Sequence, residues 1–118
     1  MYFCGGNNIK VRKMSEDKIL SEIRHVAETS IPKGAKVYLF GSRARGDARD
    51  DSDWDVLILL DKHHIQPEDH DLYAYPFWEL GWQINAMIHP IIYSKDEWET
   101  NSSPILRDNV QREGLSLC

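Results

Sequence analysis

The sequence predicts an α/β (α+β) domain, with helices packed on a small mixed β-sheet. Three observations point there. Two β-rich runs, "KVYLF" and "WDVLILL", are separated by only a short polar segment. The stretches around them carry helix caps and helical apolar spacing. A composition of 42% apolar and 28% charged residues in a chain of 118 is that of one ordinary globular domain with a single core.

The elements follow in order. Ser15 caps a helix whose first turn, Glu16 and Asp17, suits the positive end of the helix dipole. Ile19, Leu20, Ile23, Val26 and Ala27 then form one apolar stripe, and Pro32-Lys33-Gly34 stops the helix. "KVYLF" is a strand ending at Gly41, followed by a short helical turn or loop through Ser42 to Ser52. "WDVLILL" is a strand apolar enough to be buried on both faces, and "HHIQPEDHD" is a connection. "LYAYPFWELGWQ" is helical, with Leu72, Tyr75, Trp78 or Glu79, and Trp82 on one side and with Pro76 kinking or restarting it. "INAMIHPIIY" is the third strand, placed at an edge or bulge by Pro90. Ser94 to Glu97 is a capping box opening a short helix through Trp98. Ser103-Pro104 starts a last helix that Gly114 ends.

Charge and composition exclude several classes. No apolar run approaches the roughly 18 residues of a membrane span. The start "MYFCGGNNIKVRK" lacks the order of a signal peptide, and residues 1–13 read as a flexible extension ahead of a domain at 14–118. That extension carries Lys10, Arg12 and Lys13 and no acid; the remainder holds 11 basic against 19 acidic residues, a net of −8. No basic stripe is present to grip a long nucleic acid, so stable nucleic-acid binding is not expected. Cys4 and Cys118 match no metal or redox spacing and read as free thiols of a cytoplasmic protein. His63, His64 and His70 fall in different phases and read as a solvated loop. Of the rings Tyr73, Tyr75, Phe77, Trp78 and Trp82, most are expected to be buried on the sheet, with any exposed remainder marking an interface.

The chemistry is concentrated in "FGSRARGDARDDSDWDVLILL". Glycine at 41 lets a phosphate approach the backbone, and the Ser42 hydroxyl adds a donor. Arg43 and Arg45 can meet phosphate oxygens with planar, charge-assisted hydrogen bonds. Asp53 and Asp55, at i and i+2 where a strand begins, leave the same face about 7 Å apart. Two carboxylates aimed into one cleft repel each other unless a cation such as Mg²⁺ lies between them, sharing its octahedral shell with substrate phosphates. Taken alone, such a pair is more often an acidic loop, and Asp47, Asp50 and Asp51 are read as that loop.

Gly-Ser, ten residues, then Asp-x-Asp resembles the signature of the DNA polymerase beta-like nucleotidyltransferase superfamily. The fuller "GSRARG…SDxD" is similar to its minimal nucleotidyltransferases, the antitoxin partners of HEPN toxins. The motif covers 15 residues. The resemblance implies a nucleotidyltransferase fold and transfer of AMP from ATP, with pyrophosphate leaving. It implies Gly41 and Ser42 at the β and γ phosphates, Asp53 and Asp55 as catalytic Mg²⁺ ligands, and Arg43 or Arg45 steadying the triphosphate. The implied acceptor is a tyrosine hydroxyl on a HEPN ribonuclease; self-association into a homo-oligomer stays open. One departure stands out. The superfamily commonly supplies a third carboxylate from a later strand, and "INAMIHPIIYS" has no Asp or Glu. Asp61 lies about 20 Å along the strand from Asp55, too far to join, which leaves Glu79 or His89 as alternatives. An antitoxin that acts by binding alone is therefore the second expectation, and a small-molecule nucleotidyltransferase the third.

Overall fold

The computed structural model describes residues 14–118; the extension expected at 1–13, with Cys4, lies outside the described residues. Helix α1 (Glu16–Ser30) begins as its cap predicts, the Ser15 hydroxyl accepting from the Lys18 N–H, and it buries Ile23 and Ala27. Strand β1 (Lys36–Phe40), the single turn α2 (Ser42–Arg45) and strand β2 (Trp54–Leu60) follow. After α3 (Pro67–Asp69) comes a wide π-helical turn (His70–Ala74), then α4 (Tyr75–Ile84). The wide turn answers Pro76, which has no N–H to give. The Tyr75 N–H reaches back five residues to the His70 carbonyl, and the helix restarts with proline in its first turn. Strand β3 (Ile88–Ser94), α5 (Lys95–Asn101), α6 (Pro104–Glu113) and the two-residue β4 (Leu115–Ser116) complete the order.

The sheet runs β3-β2-β1-β4. β1 pairs antiparallel with β2 and with β4, whereas β2 pairs parallel with β3. Pro90 thus sits on an edge strand, where its missing donor breaks no ladder in the interior of the sheet. Alternation along the strands divides the core in two. Val37, Leu39, Trp54, Val56, Ile58 and Leu60 face α1 and α4, joining Ile23, Ala27, Phe77 and Leu80. Phe40, Leu57 and Leu59 face the other way, where α5 and α6 supply Trp98, Leu106 and Val110. β2 is therefore buried on both faces, as its unbroken apolar run requires.

Four expectations need correction. The helical segment starts at Pro67, inside "HHIQPEDHD", because Gln66 and Asp69 form a reciprocal cap there. The third strand starts only at Ile88; Ile84 still belongs to α4, and Asn85 ends that helix in the left-handed conformation (φ 55°). β4 gave no period-2 signal in two residues and is held by pairing with β1. The α4 side carrying Leu72, Tyr75, Trp78 and Trp82 faces solvent, Trp82 being 68% exposed, and only Phe77 of the five rings is fully buried, with Tyr73 partly so. The three rings and the leucine do share one side, but the residues that are buried are Ala74, Phe77, Leu80 and Gly81 on the opposite side.

Candidate active site

The antiparallel register sets Phe40, the last residue of β1, opposite Asp55. The chain leaves β1 through Gly41, at φ 79° and ψ −161°, a conformation that side chains rarely adopt. A Cβ at this position would also collide with Asp55 Oδ2. Glycine is therefore required twice, for its backbone and for the carboxylate lying against it. The Gly41 carbonyl accepts from the Ala44 and Arg45 N–H groups, which closes the turn of α2, and Gly46 ends it at φ 86°. The Gly-Ser bend and the second aspartate, 14 positions apart in the chain, are thus in contact.

Asp55 shares the sheet face of Leu57 and Leu59, but it lies at the open end of that face and keeps 28% of its side-chain surface exposed. Burial pushes its carboxyl above the ordinary range. His89 and Arg45 pull it down and the neighbouring charge of Asp53 pushes it up, and the net direction is upward. Asp53 is exposed, one residue ahead of β2. In the parallel register of β2 with β3, the residue beside Asp55 is His89. Its Nδ1 is 3.6 Å from Asp55 Oδ1, and the Trp78 ring lies 6.1 Å from the imidazole. Of the two alternatives for the third position, His89 adjoins the carboxylate, while Glu79 is exposed on α4.

The two arginines part company. Arg45 is 43% exposed and reaches Asp47 (3.1 Å) and Glu113 (2.9 Å), whose hydrogen bonds hold its guanidinium above its ordinary pKa. Its charge is felt at Asp55. Arg43 turns the other way and is 6% exposed. It donates to the Ser52 carbonyl from Nε (3.3 Å) and Nη2 (3.0 Å), to the Asp50 carbonyl from Nη2 (3.1 Å), and to Glu16 from Nη1. Its guanidinium also stacks 4.6 Å from the Trp54 ring. Nothing in the local sequence distinguishes the two, because α2 is too short to have a readable face. A cavity of about 510 Å³ lies on the Arg43 side, between Glu16, Ile19, Trp54, Ile84 and Met87; the carboxylates occupy an open surface instead.

A Mg²⁺ ion fits this donor set in a particular way. Among the described residues, no three His, Cys, Asp or Glu side chains converge into a ready-made cage. Mg²⁺ shared with a phosphorylated substrate needs only one or two carboxylates, the remaining ligands being phosphate oxygens and water. The upward shift of Asp55 fits a site short of positive charge. His63 and His64 are exposed and pair with Asp96 and Glu97, and Cys118 is a free thiol. No helix among the described residues is long and apolar enough to cross a membrane.

A strand, a Gly-Ser bend and a second strand with Asp53 and Asp55 at its start are brought together in one mixed sheet. Residues 18–110 match the nucleotidyltransferase domain family, and the chain belongs to it. Among solved structures, one described as a minimal nucleotidyltransferase is 28% identical, with a TM-score of 0.61 over 86% of this chain and 95% of its own. A toxin–antitoxin structure with AMP-PNP is 21% identical, with a TM-score of 0.59 over 89% of this chain and 73% of that one. A tri-AMPylated HEPN toxin in complex with its MNT antitoxin, from Shewanella oneidensis, is 17% identical, with a TM-score of 0.58 over 88% and 72%. The last two likenesses establish the fold. No curated protein matches the sequence significantly.

Proposed function

We propose that this protein is a Mg²⁺-dependent adenylyltransferase that moves AMP from ATP to a protein hydroxyl, a tyrosine of a HEPN ribonuclease toxin, and thereby acts as an antitoxin. The observation that carries this reading is the contact between Gly41 and Asp55. A phosphate chain lying on the Gly41-Ser42 backbone would rest against the bend that Asp55 touches. Arg45, exposed and with its charge felt at Asp55, steadies the triphosphate once it gives up its ion pairs to Asp47 and Glu113. Bound Mg²⁺ would supply Lewis-acid polarisation of the α phosphoryl group and charge neutralisation of the leaving pyrophosphate. The acceptor oxygen forms a bond to the α phosphorus, the α–β bridging P–O bond breaks, and pyrophosphate departs with that electron pair. The hydroxyl proton leaves toward His89, beside Asp55 on β3.

A protein acceptor is favoured over a small molecule by the surface beside the cleft. Trp78 joins His89 to an exposed apolar face with Leu72, Tyr75 and Trp82, which is the composition of a protein interface core. Similarity to the fold of a toxin–antitoxin structure with AMP-PNP, and to that of an AMPylated HEPN toxin in complex with MNT antitoxin, supports the same choice. The test is direct. The protein is incubated with α-labelled ATP, Mg²⁺ and a HEPN toxin from the neighbouring reading frame. Label should pass to the toxin, and should cease to pass with Asp53→Asn or Asp55→Asn; transfer that ignores both substitutions overturns the reading.

The absence of any Asp or Glu from β3, where His89 is the residue beside Asp55, favours one second reading, an antitoxin that neutralises by binding alone. It predicts that the double Asp→Asn variant still protects cells while substitutions on the aromatic face do not.

A further inference from the structure

We propose that Arg43 is the positioning residue of the carboxylate pair and makes no contact with the nucleotide. This inference rests on the nucleotidyltransferase reading of Asp53 and Asp55. Asp53 has Ser52 on one side and Trp54 on the other, and one guanidinium engages both. Nε and Nη2 bind the Ser52 carbonyl at 3.3 and 3.0 Å, and the cation lies 4.6 Å from the Trp54 ring. A further bond to the Asp50 carbonyl at 3.1 Å holds the loop two residues earlier. Glu16, in the first turn of α1, anchors the remaining nitrogen. Arg43 therefore ties α1, α2 and the start of β2 together at the two residues that flank Asp53.

The arrangement answers a physical problem. Two like charges at the end of a loop push each other toward solvent, and α2 and β2 are joined by irregular chain from Gly46 to Asp53. A buried, planar fork that meets carbonyls and an aromatic face at once restrains that chain with little further loss of rotamer freedom. Lysine, a point charge with no flat face, can replace one of these contacts but not the set. The local pattern is also self-consistent: Trp54 points into the α1/α4 side of the core, so stacking on it commits Arg43 to the side of the sheet away from Asp55.

The experiment follows Mg²⁺ binding by NMR through the amide shifts of Asp53 and Asp55, with the non-transferable analogue α,β-methylene-ATP present, in wild type, Arg43→Lys and Arg43→Ala. A second arm measures KM for ATP at saturating Mg²⁺. Substituting a residue that orients metal ligands weakens metal affinity about 10-fold or more, and that loss is expected in both variants, with activity restored by high Mg²⁺ and KM for ATP unchanged. Arg43→Lys keeps the charge and the aliphatic stem, so it serves if Arg43→Ala does not fold. Unchanged Mg²⁺ affinity in Arg43→Lys, or a loss confined to KM for ATP, overturns the positioning role. Absence of any Mg²⁺-dependent shift at Asp53 and Asp55 in wild type with the ATP analogue present overturns the nucleotidyltransferase reading itself.

Discussion

Asp69 and Asp55 are both drawn off the surface, one fully and one in part, and their carboxyl groups respond in opposite directions. Asp69, buried at the start of the α3–α4 segment, is pushed up by burial, but the Lys62 ammonium at 2.8 Å and the Gln66 N–H at 2.7 Å outweigh this and hold it below the ordinary range. Asp55, less buried, is held above it: burial is met only by His89 at 3.6 Å and the more distant Arg45, while Asp53 adds repulsion. A carboxylate that serves the fold has its partners built in. Asp55 has no such cation built in, which is what the proposed role as a metal ligand requires, and its unbalanced burial costs stability.

This contrast can be broken by experiment. The largest effect expected is on catalysis: Asp55→Asn or Asp53→Asn should lower AMP transfer roughly 1,000-fold, the several kcal/mol that metal coordination contributes. Asp69→Asn should leave kcat close to wild type. Equal losses at both positions would end the division into structural and functional acids. Gly41→Ala should be nearly as damaging, roughly 100-fold, because its Cβ and Asp55 Oδ2 claim the same space. A normal rate in that variant would remove the contact on which the proposed function rests.

Stability should then move the other way. Asp69→Ala is expected to cost about 2 kcal/mol in urea unfolding, the value of charge-assisted hydrogen bonds to a buried group. Metal-free Asp55→Asn should instead melt a few degrees higher than wild type. The pH dependence sharpens this. The folded-state pKa of Asp69 is depressed, so its contribution is present above the unfolded value and is lost as pH falls through the folded one. That of Asp55 is raised, so its penalty is present at neutral pH and disappears as pH falls through the folded value. The advantage of Asp55→Asn over wild type should therefore shrink on acidification, and a gap that widened would contradict the assigned cause. The smallest effect is expected at Trp82, where Trp82→Ala should change stability by less than about 0.5 kcal/mol while weakening toxin binding by isothermal titration calorimetry.

Much of the fold was legible because it rests on local signals. The Ser15 cap, the Ser94–Glu97 capping box and the two core strands all stand where the residues placed them. The failures share a cause. The exposed side of α4 was misjudged because helical spacing groups Leu72, Tyr75, Trp78 and Trp82 on one side but does not say which side meets the sheet, and the side that does carries Ala74, Phe77, Leu80 and Gly81. β4 exists only as a partner of β1. In the candidate site, the sequence named Gly41, Ser42, Asp53 and Asp55 but could not divide labour between Arg43 and Arg45, nor choose His89 over Glu79.

The sequence alone determined that two acidic side chains would open a buried strand close behind a Gly-Ser bend, because strand periodicity and glycine's backbone freedom are properties of the chain itself. Only the tertiary structure decided that Asp55 lies on Gly41, that His89 stands beside Asp55, and that Arg43 turns inward to Trp54 and Glu16. Those outcomes depend on the register between strands and on which side of the sheet each helix covers, and both are set by packing among residues far apart in sequence.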